Sequence, residues 1–259
     1  YHKDTFYAIS GATGLITDKF TIPEHKRAKS WLADGGIALM HNANIVTVVS
    51  LAEKRILWTR NSTIYGIDSQ NPTVYMNATA NMIVIFNPTY WYETASIFAF
   101  ELTTGKPLWD VPLRGSMQDA GSPPTAFSWT AMRAYFQVVV AIENDDLQTV
   151  VAIDLKNGDV LFNSTIFGKP SVYDLRGGVI SSDSEVFVLT QWFLWCLDGV
   201  TGDKKWMTNL IPSRGAGRAN NNNNDNGGSM ALLGGKLYAW VNYDINSYYG
   251  SGNVVFAVD

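Results

Sequence analysis

The residues with the most evident chemical capacity are scattered along the chain. A single thiol, Cys196, sits in the apolar run Phe193-Leu194-Trp195-Cys196-Leu197. In that setting it reads as a small buried hydrophobe and not as a nucleophile. One cysteine cannot build an internal disulfide framework, so sulfur says nothing about compartment. His2, His25 and His41 share no metal-ligand spacing. Asn222-Asn223-Asn224-Asp225-Asn226-Gly227 offers oxygen side chains at alternate positions, as a calcium loop does. It has one acid, however, and Leu233 stands where a bidentate Glu is needed, so a polar insert explains the run better. Arg214-Gly215-Ala216-Gly217-Arg218 has the glycines of a phosphate loop but opens no helix whose amides could cradle an anion. No catalytic, cofactor-binding or metal-binding residue is assigned.

What remains is recognition chemistry. Tyr90-Trp91-Tyr92, Tyr243-Asp244 and Tyr248-Tyr249 cluster aromatic rings with polar neighbours, and Arg114, Asp119, Arg214 and Arg218 add charge. Such groups suit a flat ligand, a sugar ring or a partner peptide. The alternative is that the rings tuck under their own loops as local packing. Three glycosylation sequons begin at Asn61, Asn77 and Asn163. The Asn, Ser and Thr content alone yields about three such triplets by chance, so they carry no weight for secretion.

Whatever positions these residues is repetitive. Phe98-Ala99-Phe100-Glu101-Leu102-Thr103-Thr104-Gly105-Lys106-Pro107-Leu108-Trp109 reads as a strand, a tight turn and a returning strand. Written as A-x-[D/E]-x-x-T-G-x-x-x-W, its fixed positions are Ala99, Glu101, Thr104, Gly105 and Trp109. The glycine serves a turn position at positive φ, the acid accepts from turn amides, and the Trp offers an apolar plate. Ala152, Asp154, Gly158 and Phe162 form a second copy, and Cys196, Asp198, Thr201, Gly202 and Trp206 a third. A degraded copy runs from Val48 through Ser50 to Trp58 and has lost its glycine. Another starts at Ala8, keeps Gly14, and has Asp18 in the Trp position; a sixth begins at Ala257. The acid slot falls at 10, 50, 101, 154, 198 and 259, the signature of a repeat architecture.

The motif resembles the tryptophan-docking motif of pyrroloquinoline-quinone (PQQ) type β-propeller repeats. That resemblance implies an all-β fold of four-stranded antiparallel blades, with the motif spanning the third and fourth strands. The chain then divides into blades at about 1–20 (partial), 21–60, 61–115, 116–168, 169–212 and 213–259 (partial). Four whole blades and two partial ones are expected to be part of a ring of seven or eight. The duplicated third strand at the two ends is what suggests an incomplete ring. The resemblance also implies an extracytoplasmic setting. Quinoprotein dehydrogenases of this type use PQQ and calcium, with a catalytic Asp and in many cases an adjacent cysteine pair. No part of that constellation can be matched here residue by residue. The expected role is a non-catalytic scaffold without cofactor; a PQQ- and calcium-dependent dehydrogenase and a sugar-binding propeller are the alternatives.

In a four-stranded antiparallel blade, successive connections alternate between two ends. The connections on the side of the Thr-Gly turns are short throughout, whereas 87–95, 112–124, 212–228 and 242–252 leave from the other side. Long loops on one face of a rigid repeat are the usual place for binding. This top face collects Tyr90, Trp91, Tyr92, Arg214, Arg218, Tyr243, Asp244, Tyr248 and Tyr249. A protein partner or a small ligand or glycan is expected there.

Composition sets outer limits. The 259 residues are 46% hydrophobic, 13% aromatic and 16% charged, with a net charge of −4, an ordinary globular balance. Without basic runs, nucleic acid is not an expected partner. No apolar run approaches the ~20 residues of a membrane-spanning helix.

Overall fold

The computed structural model describes residues 4–22, 30–42, 45–61, 73–87, 95–113, 125–142, 145–168, 178–190, 193–210, 228–244 and 251–258. Among them every regular element is a β-strand, and each sheet is an antiparallel meander in chain order. β1 (Asp4–Ile9) and β2 (Ile16–Ile22) form a two-stranded sheet. The next sheet contains β3 (Ser30–Asp34), β4 (Ile37–Asn42), β5 (Ile45–Ser50) and β6 (Arg55–Asn61). It is followed by β7 (Thr73–Asn77), β8 (Met82–Asn87), β9 (Ala95–Glu101) and β10 (Pro107–Leu113). Two further four-stranded sheets are β11 (Thr125–Ser128), β12 (Arg133–Ile142), β13 (Asp145–Asp154), β14 (Val160–Gly168), and β15 (Val179–Ser181), β16 (Glu185–Leu189), β17 (Phe193–Asp198), β18 (Lys204–Asn209). β19 (Gly228–Leu233), β20 (Lys236–Asp244) and β21 (Ser251–Val258) close the series as a three-stranded sheet.

The pattern of burial explains these strands. Second and third strands such as β5 and β16 are apolar on both faces because their own two faces each pack on a neighbouring sheet. Fourth strands such as β6 and β18 are largely exposed and carry the polar residues. The compact units are two: residues 1–88 with 96–112, and residues 89–95 with 113–259.

In the first unit, Leu39, Val46 and Val48 pack against Ile83, Ile85, Phe98 and Phe100 of the following sheet. Phe6, Phe20 and Ile22 of the two-stranded sheet pack on Met40 and Val49. In the second unit, Tyr135, Val150, Ala152 and Phe162 meet Val186, Val188, Trp195 and Leu197, and Trp206 packs with Leu237 and Ala239. Each such buried aliphatic contributes about 1.5–3 kcal/mol, so sheet-on-sheet burial dominates the stability of each unit.

Candidate functional site

The repeated turn has one backbone construction. Gly105 N–H donates to Glu101 O at 2.8 Å and Glu101 N–H to Lys106 O at 2.8 Å. The same pair of bonds closes the turns at Asp154 to Asp159, Asp198 to Asp203 and Ser10 to Leu15. Gly14, Gly105, Gly158 and Gly202 all have φ between 69° and 83°. Where the glycine is missing, Lys54 adopts φ 53° in its place. The residue after the acid slot then ties its turn to the one between the first and second strands. Leu51 N–H bonds Gly36 O, Leu102 N–H bonds Asn81 O, Leu155 N–H bonds Met132 O, and Gly199 N–H bonds Ser184 O.

The acids of the motif are committed to these turns. Asp198 Oδ1 accepts from the amides of Val200 (2.8 Å) and Thr201 (3.0 Å), and those bonds, led by Thr201, hold its carboxyl below the ordinary range. Asp154 Oδ1 accepts from Lys156 N–H at 2.8 Å. Glu101 accepts from the Thr104 hydroxyl and, at 3.1 Å, from Asn81 Nδ2.

The aromatic at the end of one motif lies on the glycine of the next. A Cβ added to Gly105 would fall 2.6 Å from Cδ2 of Trp58, and Trp58 Nε1–H donates to Leu102 O at 2.7 Å. Phe162 lies over Gly202 in the same way, with its ring 2.5 Å from where a Cβ would stand. Phenylalanine has no N–H, and the Gly199 carbonyl, the counterpart of Leu102 O, accepts instead from Tyr135 Oη at 3.0 Å. Arg133 Nη1 reaches the same oxygen at 3.3 Å, and Ser164 Oγ donates to Gly202 O at 2.7 Å. Burial raises the phenol pKa of Tyr135, which keeps it a donor. Trp109 is half-buried on β10, and Ala99 and Ala152 are buried on their third strands.

Cys196 is fully buried on β17, and burial, followed by the nearby Glu185 carboxylate, pushes its thiol up to about 11. Among the described residues no group of three His, Cys, Asp or Glu could hold a metal. His41 is buried on β4. Asn61 and Asn163 are exposed on fourth strands, whereas Asn77 is half-buried and its Oδ1 accepts from Ala80 N–H at 2.8 Å.

Of the expected top-face residues, Tyr243 and Asp244 fall at the end of β20 opposite Gly252 and Ser251, remote from the Gly234-Gly235 turn. Tyr90, Trp91, Tyr92, Arg114, Asp119, Arg214, Arg218, Tyr248 and Tyr249 lie outside the described residues, as do His2, His25 and Asn222 to Gly227. Tyr135, Arg133, Ser164 and Lys54 were not singled out from sequence. Lys54 had a signal, since it stands in a glycine slot; Tyr135 had none, because it lies outside the motif.

No protein-family model matches the chain, and no curated protein matches it. Solved structures do. Hydrazine synthase from Kuenenia stuttgartiensis is similar with a TM-score of 0.55 at 13% identity, over 90% of this chain and 68% of that one. The β-propeller domain of the trilobed protease from Pyrococcus furiosus, described as having an open velcro topology, gives 0.53 at 12% identity, over 98% and 72%. Hsv2 from Kluyvelomyces marxianus gives 0.53 at 7% identity, over 97% and 78%. At these identities the likeness shows the fold alone: the chain is a β-propeller of four-stranded blades.

Proposed function

We propose that this chain is a non-catalytic propeller of the PQQ-like repeat type, working outside the cytoplasm as a scaffold that holds a protein partner on the loops of its top face. The supporting observation is a division of labour within each sheet. At one end, the acid, glycine and aromatic of the motif are spent on turn amides and on the neighbouring sheet, as at Glu101, Gly105 and Trp58. The connections leaving the other end are the links between successive sheets, among them 62–72, 114–124, 169–178 and 210–227, and the hairpin links within sheets, of which 88–94 and 245–250 are long and 43–44, 143–144 and 190–192 short. Loops held at one end of rigid strands are a usual place for residues that bind a partner. The buried, poorly acidic Cys196 offers no nucleophile.

Site-specific photocrosslinkers at Tyr92 and Tyr248, with one at Thr103 as the control on the opposite end, test this reading in native extract. A discrete adduct from the first two positions and none from the third is the expected result. Adducts confined to Thr103, or dye reduction by the purified protein that depends on both PQQ and calcium, would overturn it.

A further inference from the structure

The fourth strands β6, β10, β14 and β18 each end their sheet, and no described strand pairs with their outer edges. An open edge invites pairing with another chain, and charges or prolines along it prevent that. β6 carries Arg55 and Arg60, β10 carries Pro107, Asp110 and Pro112, and β18 carries Lys204 and Lys205. β14 has no such guard: its nine residues, Val160-Leu161-Phe162-Asn163-Ser164-Thr165-Ile166-Phe167-Gly168, include no charge and no proline. β-branched and aromatic side chains dominate it, and Val160 is 51% and Leu161 39% exposed.

A sequon stands in the regular part of that edge. Bulges at Leu161 and Ile166 interrupt the pairing with β13, and between them Phe162 to Thr165 run opposite Ala152 to Thr149 in unbroken register. Phe162 is buried against the following sheet, and Ser164 Oγ donates to Gly202 O at 2.7 Å. Alternation turns Asn163 and Thr165, the acceptor and the hydroxyl residue of the triplet, to the opposite face, where both are exposed. The triplet Asn77-Ala78-Thr79 is placed differently. Asn77 is half-buried with its Oδ1 on Ala80 N–H, and Ala78 N–H donates to Asp34 Oδ2 at 2.6 Å. Ala78 Cβ also occupies the space that a Cβ on Gly35 would need. Chance sets how many sequons the chain has; the fold sets which of them is accessible.

We propose that Asn163 carries an N-linked oligosaccharide, and that this bulky, solvated group guards the edge of β14 in place of a charge or a proline. The proposal rests on the extracytoplasmic reading given above, because the sugar donor is met there. That donor is an oligosaccharide linked through C1 to a polyisoprenyl pyrophosphate. The Asn163 amide nitrogen forms a bond to C1, the bond from C1 to the pyrophosphate oxygen breaks, and the lipid pyrophosphate leaves with that electron pair. The nitrogen gives up one proton, so no oxidant or reductant takes part. Asn77 stays unmodified, because its half-buried side chain belongs to the turn that packs on residues 34–36.

The test uses the full-length protein in its own cells, extended at its C-terminus by an Asn-Gly-Thr reporter tail. Peptide N-glycosidase converts each glycosylated Asn to Asp, which peptide mass spectrometry reads position by position. Conversion is expected at Asn163 and at the reporter, and none at Asn77. A converted reporter beside an unconverted Asn163 overturns the inference and leaves the extracytoplasmic reading standing. If neither is converted, the chain does not meet the donor, and the inference falls with the compartment it needs. The guard role has its own readout in sedimentation velocity. Asn163→Gln is expected to self-associate, whereas Asn163→Lys, which puts a charge on the same edge, stays dispersed. Unchanged melting temperatures show that both variants fold. An Asn163→Gln protein as dispersed as wild type, or an Asn163→Lys protein that associates equally, overturns that role.

Discussion

Asp18 and Lys54 form an ion pair at 2.7 Å between the β1–β2 hairpin and the sheet that follows it. Asp18 occupies the aromatic slot of its motif and Lys54 the glycine slot of the next, so the two departures from the repeat answer each other. Where Trp58 meets Gly105 the seam is a ring on a bare backbone; here it is a carboxylate against an ammonium. Both side chains are about half exposed, so the pair secures register more than it adds stability.

This seam is expected to weaken in acid. The Lys54 ammonium, then the Lys19 amide, hold the Asp18 carboxyl below its ordinary 3.8. A depressed carboxylate stabilises the fold above the unfolded-state pKa and loses that contribution as pH falls through the folded one. Melting temperatures of wild type and Asp18→Asn at low salt therefore differ at pH 7 and converge below about pH 4. A constant difference down to pH 2.5 contradicts the assignment.

Trp58 carries both a plate and a donor, and two substitutions separate them. Trp58→Ala is expected to cost about 3 kcal/mol, the low end for a large aromatic because the ring is only half-buried. Trp58→Phe keeps the plate and costs about 1 kcal/mol through the unanswered Leu102 carbonyl. Gly105→Ala costs about 2–3 kcal/mol from the clash and the positive φ. Its cost shrinks when Trp58→Ala is also present, a coupling that urea denaturation of the four proteins measures.

Tyr135→Phe should resemble Trp58→Phe, with a loss of about 1–2 kcal/mol, although residue 135 belongs to no motif. Burial raises the phenol pKa, so the wild type loses stability as pH climbs above the ordinary value of 10 toward the folded one. Tyr135→Phe lacks that part of the alkaline loss. Equal slopes for the two proteins in melts from pH 8.5 to 11 would rule the shift out.

Cys196 should be inert in the native protein. With its thiol at about 11 and no exposed surface, a disulfide reagent at pH 7.5 labels it only as fast as the second unit opens. Prompt labelling without denaturant would place the residue elsewhere.

Most strands were legible from local pattern. Ile45 to Ser50 and Phe193 to Asp198 read as strands from their apolar runs and coincide with β5 and β17, because such runs bounded by turn residues leave little choice of limits. By the same local pattern Asn144-Asp145-Asp146 reads as a hairpin turn and the next strand as starting at Thr149, yet β13 begins at Asp145, because 145–148 pair residue by residue with β12. Strand ends like this are decided by a cross-strand partner, which local propensity does not contain.

Turn chemistry is a local matter, and so the amino-acid order alone was enough to locate the turns that begin at Ser10, Glu101, Asp154 and Asp198 and the glycine each places at positive φ. A steric limit on φ and a hydrogen bond three residues away operate within a few ångströms of chain. How the substituted seams are repaired is a long-range matter. That the Tyr135 hydroxyl reaches Gly199, or that Lys54 finds Asp18 thirty-six residues away, depends on the distance at which two sheets pack. That distance is set by the summed volume of the side chains between them, a property no single stretch of sequence carries.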